Sequence, residues 1–245
     1  MASLAAAAGG ALFAAGAAVN RHCAMGTLAA LAAGELHHIA TISGMVAAAV
    51  AATPLVHRAI AVMAAPPGEP SLLANVPVLA IAGGATVAII LLSALLRRNL
   101  GRAPSPQLWP PQLAMIVIGI ASGLLFALDR QWPYTSLITR FAAGETAHAA
   151  LQLAQLAVLF AAMVIAAFTA GILRANWGSA RRWVTAGAGG LLMGVGASLV
   201  PGGNDAMLMT GVPLLLPNLL VAYATMIAVL LGLEALRLRR EQRGL

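Results

Sequence analysis

Cys23 is the one thiol in the chain, and its neighbours are polar: Asn20-Arg21-His22 before it and Ala24-Met25-Gly26-Thr27 after it. A short apolar run follows directly, which places Cys23 at the expected start of a short helix. Such a start presents unpaired N–H groups and about half a positive charge, an arrangement suited to an anion. The same field makes a thiol S–H a better hydrogen-bond donor. The plainer alternative is a small residue filling apolar space. A second group is Pro201-Gly202-Gly203-Asn204-Asp205. Its glycines let backbone approach a ligand closely, and Asn204 or Asp205 is expected to cap the helix that follows. An acid inside so apolar a chain is costly and points to function, the alternative being a structural cap. A third group, Trp132-Pro133-Tyr134-Thr135-Ser136, offers a ring edge and hydroxyls. An interfacial aromatic anchor explains Trp132 equally well.

Other chemistries are excluded or weakly supported. One cysteine permits neither an internal disulfide nor an all-cysteine metal site. All 14 basic residues are arginine, so neither a lysine Schiff base nor a P-loop lysine is available. The 5 histidines and 7 acids show no HExxH or EF-hand spacing. Glu35 and His38, and again Glu145 and His148, repeat a Glu-x-x-His spacing that puts both side chains on one face of a helix start. Di-iron bundles need further carboxylates from two other helices, and none is available here. No metal and no cofactor is therefore expected, and the two pairs read as local helix-start pairing.

The elements that must position these groups follow from composition. Of 245 residues, 61% are apolar and 9% charged, against ~25% charged in soluble domains. Mean hydropathy is +0.91. Too little polar surface is present to cover a soluble globule, so the chain reads as one integral membrane domain, 1–245. Seven segments reach the ~20 apolar residues of a membrane span: about 2–19, 37–64, 74–96, 111–128, 146–173, 182–199 and 217–236. The first twenty residues hold no arginine and are expected to be the first span rather than a cleaved signal. The gaps 20–36, 129–145 and 200–216 are too apolar for ordinary loops. Their short runs, 26–33, 136–143 and 206–212, make about two turns, too short to cross. Irregular backbone at membrane depth must be buried in protein or line a cavity, so all three read as re-entrant half-helices.

Arginine placement sets the expected orientation. The clusters Arg97, Arg98, Arg102; Arg174, Arg181, Arg182; and Arg237, Arg239, Arg240, Arg243 fall on one side of a seven-span protein. The positive-inside rule then puts the N-terminus outside and the C-terminus in the cytoplasm, in an inner (cytoplasmic) membrane. It also accounts for the net charge of +7 without nucleic acid. GGALFAAGAAVNRHC (9–23) and GGLLMGVGASLVPGG (189–203) align without gaps, and LAALAAGELHH (28–38) and ITRFAAGETAH (138–148) share AAGE-x-x-H. Repeat-like units at about 1–65, 111–173 and 182–245 follow. The first and third have opposite orientations, a transporter signature when broken helices meet between them.

GGALFAAGAAVNRHCAMGTLAALAAGEL (9–36) and GGLLMGVGASLVPGGNDAMLMTGVP (189–213) resemble the YeeE/YedE-like sulphur-transport family, and GLLFALDRQWPY (123–134) resembles its middle segment. The resemblance implies an all-α, hourglass-shaped inverted-repeat protein whose short helices converge on a constriction. It further implies import of thiosulfate, with pore cysteines hydrogen-bonding the ion. Cys23 matches the family's Cys-x-x-Gly cysteine and Gly26 its glycine. At the third tip, thiosulfate importers carry a further cysteine where this chain reads Gly202-Gly203-Asn204. That leaves one thiol as gate or selectivity element.

The expected substrate contacts are Cys23, Asn20, Gly26, Gly202, Gly203, Asn204, Tyr134 and Thr135. The expected partners are a small sulphur-containing anion, the lipid bilayer and a cytoplasmic sulphur-carrier protein. Three rivals stand beside this reading. They are a sulphur-relay or redox subunit with Cys23 as a persulfide carrier, a transporter of another sulphur or selenium species, and a non-transporting component that binds a soluble partner through the tail 237–245.

Overall fold

Among the described residues, long apolar segments form helices joined by short turns. A computed structural model describes residues 2–61, 116, 134–142, 144, 149–200, 203–212 and 215–242. In chain order the helices are α1 (Ala2–Asn20), α2 (Ala24–Ala32), α3 (His38–Ala61), α4 (Tyr134–Ala142), α5 (Ala149–Thr169), α6 (Ala180–Leu199), α7 (Gly203–Ala206) and α8 (Pro217–Gln242). A wider π-helical turn, Met207–Gly211, continues α7. Among the described residues no strand is present, only an isolated backbone bridge between Glu35 and Asn176.

All three gaps contain a short helix, as their apolar runs predict. Each begins two or three residues earlier than the runs 26–33, 136–143 and 206–212. Thr135, Asn204 and Asp205 lie in the first turns. There, polar side chains are compatible with helix because partners exist in space, which an apolar-run criterion does not see. Five expected spans coincide with α1, α3, α5, α6 and α8, while 74–96, and 111–128 apart from Ile116, lie outside the described residues. Three described stretches are long and apolar enough to cross a membrane: Leu4–Ala32, which runs through α1 and α2, Ala150–Thr169 and Pro217–Arg239. The last two bury only 11% of their most apolar window. Val158, Ile165, Phe168 and Leu231 point outward, as a lipid-facing surface requires.

Glycine brings the long helices together. α1 packs along α6 and α8, and α3 packs along α6. A Cβ on Gly16 would stand 2.6 Å from the Gly189 carbonyl oxygen, and one on Gly9 would stand 3.0 Å from that of Gly196. Low numbers on α1 meet high numbers on α6, so these helices run antiparallel. Gly10 lies against the Ala222 carbonyl of α8, and Gly190 against the Thr41 carbonyl of α3, with no room for a Cβ at either. Phe13 and Met193, both fully buried, anchor the core between these crossings.

At one end of this bundle, two loops pair through backbone. Arg174 N–H donates to the Ala33 carbonyl at 3.0 Å, Asn176 N–H to Gly34 at 2.8 Å and Leu36 N–H to Asn176 at 3.0 Å. Gly34 sits at φ +101 with its α-carbon against the Arg174 carbonyl, a position closed to any side chain. This pairing corrects one expectation. Glu35 does not begin a helix, because its segment is tied to the 174–176 loop, and α3 starts three residues later at His38.

Candidate functional site

Cys23 is the N-cap of α2. Its backbone is extended at φ −72, ψ 179, and its Sγ accepts the Gly26 N–H at 3.4 Å. Cys23 is exposed. The sulphur lone pair therefore turns toward the helix start, and the S–H remains available to a group outside it. Arg21, two residues earlier, holds φ 65, a left-handed conformation that a non-glycine residue adopts only when its surroundings impose it.

What imposes it is a network centred on Asn20, buried at the end of α1. Its amide nitrogen donates to Thr27 Oγ1 at 2.8 Å and to the His22 carbonyl at 3.0 Å. Its carbonyl oxygen accepts from Thr41 Oγ1 at 2.8 Å, while Thr27 Oγ1 donates to the Cys23 carbonyl at 2.9 Å. Both amide protons and the oxygen are thus engaged. Asn20, expected as a substrate contact, here positions the turn that carries Cys23. The network continues to His38, whose Nδ1 lies 3.3 Å from Thr41 Oγ1. The Thr41 proton is committed to Asn20, so Nδ1 must carry the hydrogen of this bond.

The second and third tips meet each other directly. Asp205 Oδ2 accepts from Thr135 Oγ1 at 2.8 Å and from the Thr135 N–H at 3.4 Å. Both residues are buried. Neither Asn204 nor Asp205 caps the helix that follows, as the sequence suggests one of them should: α7 begins before both, at Gly203, and the Asp205 carboxylate faces the first turn of α4, where a negative charge complements the helix dipole. Thr135, expected to offer its hydroxyl to the substrate, donates it to Asp205. Asn204 lies inside α7 rather than capping it, 5% exposed, with its Oδ1 buried and without a partner. The orphaned atom is an acceptor, so it would be satisfied by a hydrogen-bond donor and not by an anion; the NH2 of the same amide is the group able to donate. Gly203 takes φ +56, and a Cβ there would stand 3.1 Å from Phe13 Cε2. Tyr134 opens α4, and Gly202 lies outside the described residues.

α7 packs against both α4 and α2, so the third tip joins the other two. Beside the first tip lies a cavity of about 560 Å³ whose lining includes Arg21, His22, Glu35, His38, Arg181 and Arg182. Its polar wall was not expected from the sequence, where Glu35 and His38 read as a local pair and His22 as a neighbour of Cys23. The available signal was the concentration of polar residues in 20–22 and 35–38 of an otherwise apolar stretch. His37, also on this wall, is held below the usual histidine range by burial, against the opposing pull of Glu35 and with help from Arg182 and His22.

No curated protein and no solved structure matches the chain. The sulphur-transport family model matches residues 1–232, nearly the whole sequence and every tip described above. The chain belongs to the sulphur-transport family.

Proposed function

We propose that this protein is an inner-membrane permease that imports a small sulphur-containing anion, thiosulfate, through a constriction formed by the three short-helix tips. The observation that carries the reading is Cys23. An exposed thiol caps a helix start, its turn is held by a buried hydrogen-bond network, and the third tip packs beside that helix. An anion inside a membrane needs several converging donors to offset its lost hydration. The α2 start, the Cys23 S–H and the Asn204 amide are the candidate donors. No chemistry on the substrate is required.

The glycine crossings support an inverted repeat. The gapless alignment equates Gly9 with Gly189 and Gly16 with Gly196, and the observed contacts are Gly9 with Gly196 and Gly16 with Gly189. Contacts that exchange in this way are those of a two-fold-related pair. Arg21 shares a cavity wall with Arg181 and Arg182, and the Arg174 loop pairs with the Ala33 loop. These arginines occupy one end of the bundle, in keeping with a cytoplasmic face there and an external N-terminus. A cytoplasmic sulphur-carrier protein would receive the ion at that end.

Radiolabelled thiosulfate uptake in a transport-deficient host, with selenite and sulfate as competitors, tests the reading. Cys23→Ala is expected to reduce uptake strongly without loss of folded protein. Losing one donor to a buried anion costs about 1.5–3 kcal/mol, roughly tenfold to hundredfold in binding. Cys23→Ser is expected to retain partial uptake because it keeps a donor. Serine as inactive as alanine would favour a persulfide carrier, and wild-type uptake in both variants would overturn the role of Cys23.

A further inference from the structure

The fold brings three potential metal ligands to one wall of the cavity from separate places in the sequence. His22 lies in the α1–α2 turn, Glu35 in the turn bridged to Asn176, and His38 at the first position of α3. One ligand atom from each lies within 4.8 Å of the other two. The Glu35 Oε2 to His38 Nε2 distance is 3.7 Å, and the His22 and His38 rings meet edge to face at 4.9 Å between centroids. If Glu35 and His38 were simply an ion pair at a helix start, their atoms would close to hydrogen-bond distance. They do not, and His38 Nε2 is buried with no hydrogen-bond partner.

The other side of that imidazole is already defined. Nδ1 donates to Thr41 Oγ1, so Nε2 carries a bare lone pair on the side of the Glu35 carboxylate. A histidine whose far nitrogen is held by a hydrogen bond and whose near nitrogen is unpaired is the usual arrangement of a metal-binding imidazole. We propose that His22, Glu35 and His38 form a binding site for a divalent transition-metal ion of the zinc type. Two imidazoles and one carboxylate suit Zn²⁺, Ni²⁺ or Cu²⁺ and not the oxygen-seeking Mg²⁺ or Ca²⁺. His38 is the fixed ligand. Glu35, with 41% of its side chain exposed, and the half-buried His22 have room to rotate in to the ~2.0–2.2 Å of a zinc bond.

Three protein ligands leave a coordination position open. The ion and one carboxylate carry a net positive charge, and Arg181 and Arg182 line the same cavity. That open position therefore favours an anion. The metal site does not depend on the transport reading, since it is built from side chains outside the proposed donor set.

The test uses the full chain in detergent, purified without a histidine tag, stripped with a chelator and titrated with Zn²⁺ by calorimetry and with Co²⁺ by visible absorption. One ion per chain is expected, with a four-coordinate Co²⁺ spectrum free of thiolate charge transfer. His22→Ala and Glu35→Gln, both in turns and checked for monodispersity, should each weaken binding at least tenfold. Thr41→Val should weaken it about tenfold to hundredfold by freeing the His38 ring. Cys23→Ser should bind as the unaltered chain does. No saturable binding, binding that survives both His22→Ala and Glu35→Gln, or binding lost in Cys23→Ser would overturn the proposal. Thiosulfate uptake is read separately, so failure of the transport reading leaves this titration interpretable.

Discussion

The first and third tips follow matched helices but solve the same problem with different chemistry. After α1 the chain turns through Asn20, Arg21 and His22 and caps the next helix with a cysteine side chain. After α6 the aligned positions are Val200 and Gly203; Val200 is buried against the core, and Gly203 turns the backbone by its left-handed φ. The first tip is organised by side-chain hydrogen bonds among Asn20, Thr27 and Thr41. The third is organised by packing on Phe13 and by a carboxylate that reaches a different helix, at Thr135. Small residues build the common scaffold, and the two tips differ in the few polar residues that organise them.

The scaffold half of that comparison predicts the largest effects. Gly10→Val and Gly190→Val are each expected to abolish the folded protein, to a similar extent, as read by size-exclusion profile and thermal stability in detergent. Overpacking costs about 1–3 kcal/mol where side chains can move, and here the obstruction is a carbonyl on the neighbouring helix, which cannot. Gly187→Ala is the control. Its Cβ would meet nothing closer than Ala40 at 3.9 Å, so the helix should gain about 0.5–1 kcal/mol from it. Unequal damage at Gly10 and Gly190 would break the equivalence of the two crossings.

Converting the first tip toward the third is the next largest change. Asn20→Val places the third tip's residue at the end of α1 and leaves Thr27 and Thr41 without their partner. A cost of about 1–3 kcal/mol in stability is expected, together with a marked loss of uptake, because the turn holding Cys23 is no longer fixed. Full uptake in a folded Asn20→Val protein would show that the network is dispensable and the two tips are interchangeable.

The smallest effects concern the third tip itself. Asn204→Ala is expected to weaken uptake more than Asp205→Asn. Alanine removes a buried amide able to donate to an anion, whereas asparagine at 205 retains an oxygen for the Thr135 hydroxyl. The loss for Asp205→Asn should stay below about 1.5 kcal/mol in stability. If Asp205→Asn alone stops uptake in a folded protein, proton coupling through Asp205 becomes the better reading and the third tip is more than a binding element.

Much of the helical layout was legible because its causes are local. Apolar runs of about twenty residues, the shorter runs between them and the cysteine at a helix start are all visible within a few turns of chain. Legibility failed at positions where a polar group answers to something distant. Asp205 looks like a cap for its own helix until Thr135, seventy residues away in sequence, is found beside it. Glu35 looks like a helix start until Asn176 is found paired to it.

The sequence by itself determined that the chain is helical and membrane-like, and that Cys23 stands at a tip, since hydropathy, helix length and capping depend on neighbouring residues alone. Only the tertiary structure decided that Asn20 is engaged within the protein, that Asp205 serves α4, and that His22, Glu35 and His38 share one wall. Each of those outcomes depends on which helix faces arrive together. Hydrogen bonds and ligand sets act over about 2–4 Å, and residues far apart in the chain come that close only when glycine crossings and buried side chains have set the helices in place.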